Sequence, residues 1–584
     1  MRGIPFGVAV VTAGLYFLGL GQAPFFDPPE GFHAEIAQSM LESGDWITSH
    51  VNTVRYFDKP PVPYWLMAAA FAVDGVTAAA ARFWTALAGV AVAAVTARVG
   101  MMLGTPRLGL LAGLMVAANL GMFLFARIVK PDLLFILCIV LAYAGFAMAY
   151  RGGGRRALAL FYGCLGLATL TKDLLGAVGP LAVVALFFWL TRERPVAPFV
   201  PWWGVALLAV VAVPWYAAVE LRNPGFLWYT VVDNHVLNFT RQRVFPDEDV
   251  PLGPFVFLGV TVLAFLPWAL ALPWALARAF RRPWEDATAR LWVLFALWPL
   301  VVIGFFTLSP FKLPHYGLPA FPALALLAAR VWDESIDAVP HAVPPRVLLA
   351  PILVTFVVVA AAFALAWADR LPLPAAAMSN VDVVTRNLAA RGEAIPSGAL
   401  EPYLRVLASS ALIFGTAAVA MAVAVWRRAP GLGVAVALAA MVAFLPFAGD
   451  GMAQFGRSRS ARLVVEALVL RLQPGDEVIH EGSLENTGSL LLAVREPVRV
   501  VNGLQSNLAF GATFAESRPL FWDEERLRAV WPTPGRRFLV SAVDPARSVV
   551  RALPAGSVHL VARGGDARFT RTLPSEPPPS TMAA

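Results

Sequence analysis

Five short polar stretches carry the residues whose types could do chemistry. The first, FFDPPEGFHAEIAQSM (25–40), crowds Asp27, Glu30, His33 and Glu35 beside an apolar run. A carboxylate there can act as general base for an acceptor hydroxyl. The competing account is a helix start, because Asp27 before Pro28 is also a capping pattern. The second, RYFDKPPVPYW (55–65), sets Asp58 beside Lys59 ahead of a Pro-Pro stop. Lys59 can neutralise a phosphate and Asp58 can hold a cation. A salt-bridged turn is the plain alternative, and the flanking Tyr56, Phe57, Tyr64 and Trp65 point instead to burial at an interface. The third, RIVKPDLLF, offers Arg127, Lys130 and Asp132, with Lys172 and Asp173 in a nearby TKD. Asp132 also suits the first turn of a helix. The fourth, YTVVDNHVLNFTRQR, holds Asp233, His235, Arg241 and Arg243, and His235 alone is as compatible with a structural role as with ligation. The fifth, SPFKLPHY, places Lys312, His315 and Tyr316 in a Pro-bracketed turn. That turn can clamp a phosphate or anchor the chain at a membrane interface.

The elements that must position these groups are membrane helices. Of the 584 residues 58% are hydrophobic, and the mean hydropathy is +0.67. Runs of about 20 apolar residues recur along the chain, the length a bilayer-spanning helix needs. They fall at 4–24, 78–103, 107–126, 132–150, 157–171, 174–191, 200–219, 254–280, 289–308, 314–332, 347–367, 404–426 and 431–448, giving about thirteen spans. The first run lacks a small-x-small cleavage site and is read as a retained helix rather than a signal peptide. The run 64–73 is too short to cross and is expected to lie at the interface. With Arg2 inside, the alternate loops carry Arg107, then Arg151, Arg155 and Arg156, then Arg192 and Arg194, Arg281 and Arg282, Arg346, and Arg427 and Arg428. This satisfies the positive-inside rule and puts all five polar stretches on the outside. The net charge of +8 therefore marks inside loops and not a nucleic-acid partner. Cys138 and Cys164 both lie in apolar runs and read as packing, not a disulfide or metal site.

Polar groups at membrane depth are costly unless they meet water or partners. Arg127 and Lys130 on the outer side, against the usual bias, call for an anion, and a lipid phosphate fits. After the spans the composition becomes that of an ordinary soluble domain. RLVVEALVLRLQPGDEVI reads as helix, turn and strand, and VREPVRVVN, RRFLVSAV and SVHLVARG as further strands. The expected layout is a membrane domain over 1–449, a small α/β domain over 450–573 and a disordered Pro-rich end over 574–584.

The stretch EGFHAEIAQSMLESGDWITSHVNTVRYFDKPPVPYW resembles the first periplasmic loop of bacterial GT-C membrane glycosyltransferases. It is most similar to the lipid A 4-amino-4-deoxy-L-arabinose transferases and, more distantly, to the protein O-mannosyltransferases. ARIVKPDLLF, LTKD, DNHVLNF and FFTLSPFKLPHYGLPAFPALALL resemble later signatures of that family in the same order. The resemblance implies an all-α polytopic membrane protein of the GT-C type with about thirteen transmembrane helices and a small C-terminal periplasmic α/β domain, set in the bacterial inner membrane. It implies a sugar donor on a polyprenyl phosphate such as undecaprenyl phosphate, and a lipid or protein acceptor. Carried over by position, Asp58 and His235 match places that hold a divalent cation, Zn or Mg. Lys59, Lys172 and Tyr316 match donor-phosphate or lipid contacts, and Asp132 matches the acidic residue of the second periplasmic loop. Aligned on Ala34-Glu35-Ile36, the family's Asp-Glu pair falls on Pro29 and Glu30, which makes Glu30, or Asp27 displaced by two prolines, the expected base. The family's following Arg and Tyr are here Phe32 and His33, and its TKG is Thr171-Lys172-Asp173.

The expected set is therefore Glu30, Asp27 and Asp132 as catalytic carboxylates, and Lys59, Arg127, Lys172, Lys312 and Tyr316 around the donor phosphate. Asp58 and His235 would hold the cation. A transporter or flippase would set its ionisable groups near mid-membrane in broken helices, whereas here they sit at span ends. A membrane scaffold displaying the 457–572 domain has no use for Asp58-Lys59 or Lys312-His315-Tyr316.

Overall fold

The computed structural model describes residues 3–245, 252–369 and 400–571, apart from 505, 545, 555, 565 and 566. Residues 246–251, 370–399 and the Pro-rich end 574–584 lie outside the described residues.

Helices stand at the predicted spans, but fewer than the expected thirteen are long and apolar enough to cross a membrane. Among the described residues seven are long and apolar enough to cross a bilayer: Ala78–Leu103, Asp132–Thr171, Ala197–Arg222, Ala287–Leu308, Pro345–Trp367, Glu401–Arg427 and Pro430–Arg457. Two bent pairs bring the number to as many as nine: Pro106–Ala117 with Leu120–Ala126, at 58°, and Pro254–Ala264 with Trp268–Phe280, at 103°. Asp132–Thr171 is 40 residues long and contains the two spans predicted at 132–150 and 157–171, parted where Arg151 and Gly152 leave helical geometry. The span expected at 4–24 is helical only over Gly3–Phe17. Its last carbonyls are taken by a side chain from elsewhere: Arg127 donates to Tyr16 O and Leu18 O at 3.1 and 2.7 Å, which satisfies groups a helix end leaves open. The run expected at the interface is the 13-residue helix Val62–Asp74, started by Pro61 and Pro63. The last span, expected to stop at 448, continues to Arg459.

The first outside loop is more ordered than its sequence suggests. Helix Glu30–Ser43 is followed by a hairpin of β1 (Ser49–Val51) and β2 (Val54–Tyr56), paired antiparallel. Both tip residues, Asn52 and Thr53, have positive φ (51° and 63°), the geometry of the two-residue turn whose twist suits a hairpin.

The C-terminal unit is an α/β domain with a six-stranded sheet, adding β3 (Glu477–Glu481), β4 (Arg499–Val501), β5 (Phe521–Trp522), β6 (Arg537–Ser541), β7 (His559–Gly564) and β8 (Ala567–Arg571). The order is β5-β4-β3-β6-β8-β7, with β5, β4, β3 and β6 parallel and β8 and β7 antiparallel. Strand alternation splits its apolar residues. Ile479, Val501 and Leu539 pack with Trp522, Leu527 and Trp531 in a core of the domain's own. Val478, Val500, Phe538 and Val540 face the other way and share one core with Phe32, Ile36, Tyr56, Tyr64, Met67 and Phe71 of the first loop. Side chains of this size contribute roughly 1.5–3 kcal/mol each when fully buried, so the shared core ties the sheet to the membrane unit. The contact is tight: a Cβ on Gly31 would run into the Ser489 backbone, and one on Gly488 into Phe32.

Candidate functional site

Charged groups from four segments between the predicted spans meet at one end of the helices. From the first loop comes Asp58, whose carboxylate accepts from Lys59. Burial pushes the Asp58 carboxyl up, but Lys59, with Arg243 and His33 beyond it, outweighs burial and holds it below the usual carboxylate range. From the start of the Asp132–Met148 helix comes Asp132, which accepts from Lys172 at 2.7 Å and lies 3.7 Å from His315 Nε2. Lys172 Nζ stands 4.9 Å from the centre of the Tyr316 ring and 5.5 Å from that of Phe135, both cation–π distances. The His315 ring packs on Phe125 at 4.9 Å.

Lys130 connects these groups. Burial lowers its ammonium pKa, Asp132 opposes that, and the nearby charges of Lys59 and Lys172 lower it further. Three lysines within mutual electrostatic reach repel one another unless an anion lies among them. Beside Lys59 and Lys130 is a small cavity, lined also by His33, Tyr64, Met67 and Trp84. Among the described residues its wall carries two cations and no carboxylate. His33 Nδ1 lies 2.9 Å from the Tyr64 hydroxyl. Burial, then Lys130 and Lys59, depress its imidazole to about 3, so it is neutral at physiological pH and hydrogen-bonds without adding charge. Cations and aromatic rings at this end of the helices can thus hold a phosphate.

The remaining expected residues stand elsewhere. Glu30 is fully buried and accepts from Arg82 through both oxygens, with Nε at 2.8 Å, and from Phe26 N and Val129 N at 2.8 and 2.9 Å. It fixes the backbone just before Lys130. Asp27 accepts from Ser489 N at 2.9 Å, from the Ser489 hydroxyl and from Ala461 N at 3.2 Å, so its carboxylate faces the C-terminal domain. Burial raises its pKa to about 6 against those hydrogen bonds. Arg127 caps the first helix. Lys312 is buried and donates to Thr307 O and Ser309 O at 2.9 and 2.6 Å. His235 Nδ1 lies 2.6 Å from Thr230 O. Among the described residues no three His, Cys, Asp or Glu side chains gather as a metal site.

Sequence reasoning missed Arg82. It lies inside a predicted span, and its isolation as a buried charge at the outer end of an apolar run was the available signal. Arg243 was noted only as a neighbour of His235. In the fold it pairs with Asp233 at 3.4 Å and acts on Asp58.

Residues 23–230 match the family model described as dolichyl-phosphate-mannose-protein mannosyltransferase. The chain is 31% identical over 322 residues to the undecaprenyl phosphate-alpha-4-amino-4-deoxy-L-arabinose arabinosyl transferase of Aeromonas salmonicida, covering 54% of this chain and 57% of that protein. It is 30% identical over 334 residues to the protein of the same name from Pseudomonas aeruginosa, covering 54% and 58%. The chain thus matches a little over half the length of these curated relatives. The crystal structure of ArnT from Cupriavidus metallidurans bound to undecaprenyl phosphate superposes with a TM-score of 0.75 at 23% identity, covering 98% of this chain and 99% of that one. At that identity the match shows the fold, and it extends through the C-terminal domain. By sequence and by fold, the chain is a multi-pass membrane protein similar to the aminoarabinose transferases and, over residues 23–230, to the dolichyl-phosphate-mannose-protein mannosyltransferases.

Proposed function

We propose that the chain is an integral-membrane glycosyltransferase that moves a sugar from a polyprenyl-phosphate donor to an extracytoplasmic lipid or protein acceptor, at the periplasmic face of the bacterial inner membrane. The observation that carries this is the cavity walled by Lys59, Lys130, His33 and Tyr64, backed by the Lys172–Asp132–His315 knot. The relatives named for an undecaprenyl-phosphate sugar and the family named for a dolichyl-phosphate sugar support a lipid-phosphate donor.

In the proposed step an acceptor oxygen attacks the anomeric carbon. The bond from that carbon to the phosphate oxygen breaks, and polyprenyl phosphate leaves with the electron pair. Lys59 and Lys130 stabilise the charge that grows on the phosphate. Lys172, held by Asp132 and set against Tyr316, keeps the outer mouth cationic. Asp58 stays ionised and orients an acceptor hydroxyl, whose proton passes to it or to water; an acceptor phosphate would need no base. Asp27 and Glu30 then act by position: Asp27 holds the C-terminal domain over the loop, and Glu30 fixes the backbone beside Lys130. No step is routed through a metal.

Sugar transfer by the purified full chain tests this. Lys59→Ala and Lys130→Ala, at wild-type membrane abundance, are each expected to lose about 100-fold in transfer, the scale of one preorganised charged contact. They should also weaken retention of undecaprenyl phosphate. Unchanged transfer in both variants would remove the site.

A further inference from the structure

One aromatic ring of the C-terminal domain packs among the loops that carry the site. Phe510 stacks on Tyr229, with ring centres 4.6 Å apart and planes 7° from parallel. It also meets Phe57 at 5.2 Å and Phe245 at 5.4 Å. These partners belong to two outside loops far apart in sequence. Phe57 immediately precedes Asp58. Tyr229 opens the turn of helix that holds Asp233, and Phe245 follows the segment carrying Arg243. Asp233 accepts from Val244 N at 2.6 Å and pairs with Arg243 at 3.4 Å, and the Arg243 charge in turn bears on Asp58. A ring of the C-terminal domain is therefore wedged behind both charged segments.

The wedge is itself braced. Phe514 lies 5.9 Å from Phe57, and the Arg55 guanidinium sits over its face at 4.3 Å. Arg55 also pairs with Glu516 at 2.6 Å, and a Cβ on Gly511 would strike the Arg55 carbonyl. The segment behind Tyr229 needs such support. Residues Trp228–Leu237 form a π-helix, whose wide turn is seldom stable on its own and recurs at functional sites.

We propose that Phe510 is a positioning residue for sugar transfer: by packing against Phe57, Tyr229 and Phe245 it sets the spacing between the Asp58–Lys59 pair and Arg243. The inference rests on the transferase function proposed above. It gives the C-terminal domain a part in the active site.

The test uses the full chain in nanodiscs, with sugar transfer, retention of undecaprenyl phosphate and thermal unfolding measured side by side. Phe510→Leu keeps apolar volume and removes the ring, and Phe510→Tyr keeps the ring. Aromatic stacking of this kind supports a three- to tenfold effect, roughly. Phe510→Leu is expected to raise the donor KM by about that factor with kcat changed less, and Phe510→Tyr to restore it. Combined with Arg243→Gln, Phe510→Leu should have little further effect, because both act on one contact. Multiplying effects in the double variant would overturn the inference. So would an unchanged KM in Phe510→Leu, or a loss of folded protein in Phe510→Leu that Arg243→Gln does not share. If the wild-type chain neither retains undecaprenyl phosphate nor transfers sugar, the transferase assignment fails instead.

Discussion

At the scale of single residues, the site turns on which carboxylates are free to meet a substrate. Glu30 and Arg82 are both almost wholly buried and bonded to each other. Glu30→Gln would leave a guanidinium charge without its counter-ion, and removing one partner of such a pair costs about 3–5 kcal/mol. Asp27→Asn keeps an acceptor oxygen for part of the Ser489 and Ala461 donor set, and is expected to cost about 1 kcal/mol. Thermal unfolding should therefore rank Glu30→Gln well below Asp27→Asn, and transfer should follow the amount of folded protein. A Glu30→Gln chain that is stable but inactive would return Glu30 to the chemistry. The residue types at the site were legible in the sequence: Asp58-Lys59, Lys130-Pro131-Asp132, Lys172 and His315 are found together. Their partners were not, because span periodicity fixes the side of the membrane on which a charge lies but not what it touches. Glu30 was expected as a base from its alignment with the family's Asp-Glu pair, while its partner in the fold, Arg82, lies 52 residues on within an apolar helix.

At the scale of elements, the spans were readable because apolar length is a strong signal, and the first outside loop was not. The β1–β2 hairpin has strands of three residues and a VNTV tip without glycine, so it carries little of the usual hairpin signal. Its function is also invisible locally. Asn52 at the tip donates from Nδ2 to Val498 O and accepts from Val498 N, both at 2.7 Å. Its amide thus mimics a strand neighbour to the segment entering β4. Asn52→Ala removes both bonds, leaves Val498 N–H and C=O buried without partners, and places alanine at positive φ. Each unsatisfied group costs about 1–3 kcal/mol, so a loss of roughly 2–4 kcal/mol is expected. Loosened docking should appear as faster proteolysis within 470–500, with the membrane helices unaffected. Equal protection in wild type and variant would show that the hairpin tip is not a fastening point.

At the scale of the whole molecule, two units that sequence composition separates cleanly are joined through a shared core and a buried carboxylate. Asp27 is the part of that joint that responds to pH. Its carboxyl, raised by burial to about 6, ionises near its ordinary 3.8 once the domain leaves and water enters. The docked state therefore binds its proton more tightly than the undocked one. Below both values docking is independent of this group. As pH rises from about 4 through 6 the undocked state ionises first and docking weakens, by at most about 1.4 kcal/mol per pH unit; above 6 the loss is complete and constant. The hydrogen bonds from Ser489 and Ala461 favour the ionised form and limit the loss. Wild-type chain in nanodiscs should accordingly resist proteolytic release of the C-terminal domain better at pH 4.5 than at pH 7, and Asp27→Asn should remove most of that difference. Because Phe510 and Asp27 fasten the same domain, a wild-type chain whose docking ignores pH over this window would place the joint on apolar packing alone, with Asp27 hydrogen-bonded but energetically silent.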